Sequence, residues 1–157
     1  MMAKILNVND KNSLKSAIDL GIAMQLTNIS RDIIEDSKNN RFYISHNFES
    51  IKETLKTADL FYESCFPSIK QIPISFRFSI LVARRVYRKI GQNILNKKSI
   101  ENYNNSGKIY VANSGKIIQT LLSFLDLVKL SLIKDKDHHR YKEHQLINEE
   151  IDLNERL

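Results

Sequence analysis

Residues 17–45 read AIDLGIAMQLTNISRDIIEDSKNNRFYIS, and the spacing of the polar residues in this stretch decides how the chain is interpreted. On a helix of 3.6 residues per turn, steps of three and four return to the same face. One narrow face therefore carries a line of small and polar residues: Ala17, Gly21, Gln25, Asn28, Asp32 and Asp36. We call this set the polar line. The other positions are mostly apolar, which is typical of a helix buried in a larger helical protein. We predict a helix to about Asp36 whose polar line faces an internal cavity.

The composition favours a single helical domain with its own core. The chain has 157 residues, of which 42% are hydrophobic. It contains 4 glycines and 2 prolines, too few to punctuate many strands and hairpins. A single cysteine, Cys65, excludes an internal disulfide framework and fits a reducing compartment. We therefore expect one all-α domain in a cytoplasmic protein.

The formal net charge of +6 raises the question of an anionic partner. Lysine and arginine are spread along the chain without interleaved stacking aromatics, so we predict no nucleic-acid partner. The charge also suits a phosphorylated small molecule or an anionic membrane surface. No signal peptide and no uncharged run long enough to span a bilayer is visible, so any membrane contact is expected to be peripheral.

The remaining periodicities predict further helices and a charged tail. Apolar steps of three and four run from Phe48 to Ile72, and Pro73 suits the start of the next helix. Residues 96–105 are polar and predict a loop, after which residues 116–133 predict a strongly apolar helix with its own polar line, Gln119, Ser123 and Asp126. We expect a helical domain over residues 1–133 and a charged tail over 134–157. The tail histidines are expected to be surface residues: His138, His139 and His144.

The polar line carries the chemistry. Asp32 and Asp36 lie one helical turn apart, about 6 Å along the axis, and Asn28 adds a carbonyl oxygen one turn earlier. Oxygen ligands without histidine or cysteine favour Mg²⁺, which usually keeps positions free for water and substrate phosphate. This pattern indicates a diphosphate site. The alternative is a solvated helix face that happens to end in acidic residues.

The segment LGIAMQLTNISRDIIEDSKNNRFYIS, residues 20–45, resembles the second aspartate-rich motif of the squalene and phytoene synthase family. The similarity includes the run QLTNI, the pair Arg31 and Asp32, Asp36, and the following Arg-x-Tyr. A second block, residues 58–90, resembles later helices of that family, and the similarity fades toward Lys116. Bacterial phytoene synthases look most similar. The resemblance implies the C-terminal half of an all-α isoprenoid-synthase-type bundle that joins two prenyl diphosphates head to head.

Each site residue follows from this resemblance. It implies that Asn28, Asp32 and Asp36 bind Mg²⁺ and the diphosphate. It also implies substrate contacts or room for the prenyl chain at Gln25, Gly21, Arg41, Tyr43 and Lys108. Tyr87 matches a tyrosine that approaches the diphosphate, so we place it with the two aspartates as catalytic. We expect the remaining arginines of that region to be solvated: Arg77, Arg84, Arg85 and Arg88.

The family also carries a first aspartate-rich motif on an earlier helix, and none precedes Ala17 in this sequence. The implied activity is the Mg²⁺-dependent condensation of two geranylgeranyl diphosphates to phytoene, through a cyclopropyl intermediate. We expect it to require an N-terminal-half polypeptide that carries the first motif. Three alternatives stay open: a squalene or dehydrosqualene-type synthase, a non-catalytic helical scaffold of the same family, and a membrane-surface module that uses residues 116–133.

Overall fold

A computed structural model of the chain describes residues 11–133 and residue 142. Across that part of the chain every regular element is a helix, and no β-strand occurs. The elements are α1 (Lys11–Lys38), α2 (Phe48–Cys65), a short 3₁₀ helix (Pro67–Gln71), α3 (Ile74–Leu95), α4 (Ile100–Asn105) and α5 (Asn113–Leu132). The predicted all-α class is confirmed. The tail histidines and nearly all of the predicted tail lie outside the described residues, so the domain boundary at residue 133 stays a prediction.

Two predicted boundaries differ from the observed helices. The helix predicted from Phe48 to Ile72 ends at Cys65, because Pro67 has no amide hydrogen with which to continue the α-helical ladder. The segment predicted as a loop contains α4, whose N-cap is Ser99. The Ser99 hydroxyl accepts a hydrogen bond of 3.2 Å from the Asn102 amide, which satisfies a free donor of the first turn.

Helix α1 is central, with α2 and α3 packed along it, and α5 packs against α3. The side of α3 that meets α5 carries Arg85, which pairs with Asp126 of α5, and Phe78, whose ring centre lies 4.5 Å from that of Phe124. Tyr87 of α3 instead packs against the cluster between α1 and α2. Residues two apart on a helix point about 200° apart. Helices α1 and α5 therefore lie on nearly opposite sides of α3.

The buried face of α1 is the face opposite the polar line. Ala23, Thr27 and Ser30 have no exposed surface, whereas Gly21 and Gln25 are exposed. The Thr27 hydroxyl donates to the Ala23 carbonyl at 2.8 Å and shares a hydrogen bond of 3.1 Å with the Tyr62 hydroxyl. Within the described residues, α1 buries one face and leaves Gly21 and Gln25 of the polar line exposed.

Helix α5 has the opposite orientation. Its predicted polar line is the side that packs inward, with Ser123 and Asp126 buried beside Leu130. Asp126 accepts hydrogen bonds from Arg85 at 2.5 Å and 2.7 Å, which satisfies both carboxylate oxygens. The apolar side of α5 consequently faces outward.

The arginines of α3 are structural, and the expectation that they are solvated was wrong for three of them. Arg84 is buried, donates to the Tyr62 carbonyl at 2.9 Å and lies over the Phe66 ring. Arg85 pairs with Asp126, and Arg88 pairs with Asp59 at 2.5 Å. These contacts join α3 to α2 and α5, as a partly buried guanidinium requires.

Candidate functional site

The turn after α1 positions Arg41 beside Asp36. Asn40 adopts a left-handed conformation with φ of 56°. The Arg41 amide then donates to the Asp36 carbonyl at 2.9 Å, and the Asn40 amide donates to the Ser37 carbonyl at 3.1 Å. This is a Schellman C-cap, in which asparagine tolerates the left-handed position better than most residues. The local sequence therefore turns the chain back over the end of the polar line.

A pocket of about 430 Å³ opens at this turn. It is lined by Ile29, Ile33, Asp36, Ser37, Arg41, Phe42, Tyr43, Ile44, Ser45 and His46. The structure thus brings together three predicted site residues, Asp36, Arg41 and Tyr43. The Tyr43 ring is exposed, so it forms the rim of this pocket and is not part of the core.

Asp32 lies between two cations. Arg31 donates to its carboxylate twice, at 2.9 Å and 2.6 Å, and the Lys108 ammonium lies 3.4 Å from it. Desolvation is the largest single influence on the pKa of Asp32 and would raise it. The hydrogen bonds and charges of Arg31 and Lys108 together outweigh desolvation and hold the pKa below its ordinary value. Asp32 is therefore ionised at neutral pH, as a metal ligand must be.

Lys108 reaches the polar line from a distant part of the chain. Gly107, with φ of 62°, turns the chain after α4, and the Lys108 ammonium pairs with Glu35 at 2.5 Å as well as approaching Asp32. The resemblance placed Lys108 among the substrate-binding residues, and the structure places it beside the polar line.

Tyr103 anchors this arrangement and was not found by sequence reasoning. Its buried hydroxyl lies 3.0 Å from the Ser30 carbonyl and 2.8 Å from the Arg31 carbonyl, and it donates its proton toward both. Burial raises its pKa to about 12. The only signal in the sequence was an aromatic residue inside the polar run ENYNN, residues 101–105. Tyr103 fixes α4, and with it the Lys108 loop, against α1.

Removing the Tyr103 hydroxyl should weaken this anchor. We expect Tyr103→Phe to lower the free energy of unfolding by about 1–2 kcal/mol, because a buried hydrogen bond is lost while the ring still packs. Urea denaturation measures the effect. Tyr110→Phe is the matched control, because that ring is 63% exposed. Equal losses in the two variants would contradict the anchoring role.

The residues at the N-terminal end of the polar line differ in exposure. The Asn28 side-chain oxygen is buried without a hydrogen-bond donor. Gln25 is exposed, and a side-chain carbon built on Gly21 would meet no atom within 4 Å. The predicted internal cavity is therefore not enclosed by the described residues.

Tyr87 is half-buried and packs against the cluster between α1 and α2. The hydrogen bond to Asp32 is the largest cause of the raised pKa of Arg31, and smaller contributions come from Tyr87 and Tyr110. Tyr87 does not line the pocket at Asp36.

The donors of the polar line fit Mg²⁺. Asn28 offers a buried oxygen that lacks a donor, Asp32 offers an ionised carboxylate, and Asp36 offers a second carboxylate at the pocket. These are hard oxygen ligands, and Mg²⁺ usually takes few of them from protein. Among the residues that the structure describes, no three histidine, cysteine or acidic side chains form a metal-binding group. The candidate set is thus two carboxylates and one amide.

The lowered pKa of Asp32 predicts a pH dependence of stability. A carboxyl whose folded pKa lies below its unfolded value, here 3.8, stabilises the fold above that pH, and this stabilisation is lost as the pH falls through the folded pKa. We expect the unfolding free energy of the wild type to fall more steeply below about pH 4 than that of Asp32→Asn. Urea titrations at several pH values measure the two slopes. Equal slopes of the unfolding free energy below about pH 4 in the two proteins would contradict the lowered pKa of Asp32.

The comparisons with known proteins cover the sequence of the polar line and of the turn that follows it. The sequence model of the squalene/phytoene synthase family matches residues 1–48, which include the whole polar line, Arg41 and Tyr43. The chain is 33% identical to the 15-cis-phytoene synthase of Enterobacter agglomerans. The matched region covers 60% of this chain and 39% of that enzyme. The resemblance to the squalene/phytoene synthase family that residues 20–45 indicated is confirmed by these matches.

Other phytoene synthases show the same partial coverage. The 15-cis-phytoene synthase of Paracoccus sp. (strain N81106 / MBIC 01143) is 34% identical over 60% of the chain and 37% of that enzyme. The chloroplastic phytoene synthase 1 of Solanum lycopersicum is 27% identical over 69% of the chain and 31% of that protein. The chain thus spans less than two fifths of the length of these family members. No solved structure matches the chain.

Proposed function

We propose that this chain supplies the second aspartate-rich wall of a phytoene-synthase-like prenyltransferase. The observation that carries the proposal is the alternation of charge on the polar line. Asp32 and Asp36 are one turn apart, Arg31 and Lys108 lie beside the Asp32 carboxylate, and Arg41 lines the same pocket as Asp36. Carboxylates hold the metal and cations neutralise phosphate oxygens, so this arrangement suits a metal-bound diphosphate.

The proposed roles follow from position. Asn28, Asp32 and Asp36 hold Mg²⁺, which when bound takes up the negative charge that develops on a departing diphosphate. Lys108 and Arg41 contact phosphate oxygens from the two ends of the site. Arg31 orients the Asp32 carboxylate through its paired hydrogen bonds. Gly21 and Gln25 line the path of the prenyl chain, and Tyr87 approaches the diphosphate as a catalytic residue.

The proposed reaction is the condensation of two geranylgeranyl diphosphates to phytoene. It requires a water-poor cavity with metal ligands on both walls, because the allylic cation would otherwise be captured by water. The open polar line provides one wall. We propose that a polypeptide segment outside these 157 residues, with the first aspartate-rich motif, provides the other.

Two measurements on the purified chain test this proposal. With Mg²⁺ present, the chain alone should bind geranylgeranyl diphosphate in calorimetry and should release no hydrocarbon on extraction. Formation of phytoene by the chain alone would overturn the requirement for a second wall. Absence of any Mg²⁺-dependent binding would favour the scaffold alternative. A squalene-type product after the second wall is added would shift the assignment to that branch of the family.

A further inference from the structure

Another pocket, of about 220 Å³, lies between α2, α3 and α5. At about 30 Å³ per water molecule it has room for roughly seven waters, which is enough for a small polyatomic anion. Two of its lining side chains, Glu63 and Asp126, are acidic. Five are cationic: Arg84, Arg85, Arg88, Lys89 and Lys129. We call this cavity the cationic pocket.

Two of the five cations already have acidic partners. Arg85 donates to both carboxylate oxygens of Asp126, at 2.5 Å and 2.7 Å. Arg88 lies 2.5 Å from Asp59 and 2.5 Å from Glu63. These pairs occupy both acidic residues of the cationic pocket. The other three cations are therefore left with a surplus of positive charge.

Arg84 is the buried cation of this pocket, with 4% of its surface exposed. Its Nε donates to the Tyr62 carbonyl at 2.9 Å, and its guanidinium carbon lies 4.8 Å from the centre of the Phe66 ring. Its ion pair with Glu63 is long, at 3.6 Å, and the same carboxylate oxygen lies 2.5 Å from Arg88. A buried guanidinium needs closer compensation than this. An anion in the cationic pocket would supply it.

Lys89 and Lys129 bring two further charges to the same cavity. Lys89 is half-buried on α3, and Lys129 is exposed on α5. Within the part of the chain that the structure describes, neither ammonium has an acidic partner. The side-chain amides of Gln92 and Gln119 also line the cavity. A surplus of several charges matches a phosphate group, which carries about 1.5 to 2 negative charges at neutral pH, better than it matches a single carboxylate.

The cationic pocket is separate from the polar line. It shares no lining residue with the pocket at Asp36. Arg85 and Tyr87 place α5 and α1 on nearly opposite sides of α3. Helix α5, like the other described helices, is not long and apolar enough to cross a membrane. A ligand of the cationic pocket therefore does not contact Asp32 or Asp36.

We propose that the cationic pocket binds the phosphate group of a soluble small molecule without the help of a metal ion. Arg84 supplies the forked guanidinium that suits phosphate oxygens, and Lys89 and Lys129 supply charge from α3 and α5. The bound anion links α5 to α3 and stabilises the fold. The inference goes beyond the proposed function, because it requires neither the aspartates of the polar line nor a prenyl chain.

Calorimetric titration of the full chain with inorganic phosphate tests the proposal. The buffer contains EDTA and no lipid, and NaCl keeps the ionic strength constant because a partly exposed site is screened by salt. One phosphate should bind per chain, inorganic diphosphate should bind at least as tightly, and acetate should bind at least about tenfold more weakly. Phosphate should also raise the midpoint of thermal unfolding relative to NaCl, because it binds the folded chain.

Two variants test the assigned residues. Lys89→Gln with Lys129→Gln should weaken phosphate binding about tenfold or more, because two charge-assisted contacts are lost. Arg84→Lys keeps the charge but not the fork and should weaken binding about fivefold. Circular dichroism checks the fold of each variant. If Arg84→Lys does not fold, the double lysine variant decides the result.

The matched control is Lys52→Gln with Lys56→Gln. These two lysines are exposed on α2 and do not line the cationic pocket, so the variant makes the same charge change elsewhere and should bind phosphate as the wild type does. An equal loss in the control and in the double lysine variant would reduce the effect to net charge and overturn the proposal.

Three further outcomes would overturn it. The wild type could fail to bind phosphate without lipid, the double lysine variant could bind as the wild type does, or binding could appear only with Mg²⁺ and disappear in Lys108→Gln, which would assign the phosphate to the polar line. The titration contains no Mg²⁺ and no prenyl chain, so its result is independent of whether the proposed function holds.

Discussion

Replacing Asp32 or Asp36 with asparagine should lower the Mg²⁺-dependent affinity of the chain for geranylgeranyl diphosphate by about 10- to 100-fold, a loss found even for groups that only support metal ligands. Asparagine keeps the shape of aspartate but removes the negative charge that Mg²⁺ requires. At position 32 the substitution also leaves Arg31 and Lys108 without their shared carboxylate. Calorimetric titration with geranylgeranyl diphosphate, with and without Mg²⁺, measures the effect.

The matched control for these variants is Asp59→Asn. Asp59 lies on α2, is half exposed and pairs with Arg88. It does not line the pocket at Asp36 and does not belong to the polar line. Its replacement should leave the Mg²⁺-dependent affinity unchanged. If Asp32→Asn and Asp36→Asn titrate as the wild type does, the metal assignment is wrong, whatever the family relationship.

Asp126→Ala should lower the free energy of unfolding by about 3–5 kcal/mol, the usual cost of breaking a buried ion pair from one side. Only 6% of the Asp126 side chain and 22% of the Arg85 side chain are exposed. Without Asp126, the Arg85 guanidinium loses both hydrogen bonds in a site that offers little water. Urea denaturation followed by circular dichroism measures the loss.

The Arg85 and Asp126 prediction has a control and a rescue. Asp59→Ala breaks a more exposed pair with Arg88 and should cost no more than about 1 kcal/mol. The double variant Arg85→Met with Asp126→Leu should recover most of the stability, because an apolar pair of similar volume removes the unpaired charge. An Asp126→Ala loss as small as that of Asp59→Ala would show that the pair does not hold α5 on α3.

The local features of the site were predictable because they depend on neighbours in the sequence. Helical spacing alone puts Asp32 and Asp36 one turn apart. The run SKNN, residues 37–40, predicts the end of α1, and the observed cap at Asn40 returns Arg41 to Asp36. The family resemblance added Lys108, which no local spacing connects to Asp32.

The contacts that depend on distant residues were not predictable. The arginines of α3 have the polarity of surface residues, yet Arg84 is buried because the Tyr62 carbonyl, 22 residues earlier, accepts its hydrogen bond. Tyr103 is part of the site only because its hydroxyl meets the Ser30 and Arg31 carbonyls. Neither pairing leaves a periodic signal in the sequence.

The sequence by itself determined that α1 is a helix, that it has a polar line and an opposite face, and which chemistry the polar line carries. Only the tertiary structure decided which of those faces is covered. Thr27 is buried because Tyr62 meets its hydroxyl, and Asp126 is buried because Arg85 neutralises it, so polar residues occupy the inward faces of α1 and α5. Helical periodicity specifies which residues share a face, but long-range hydrogen-bond and ion partners decide whether that face meets the core or the outside.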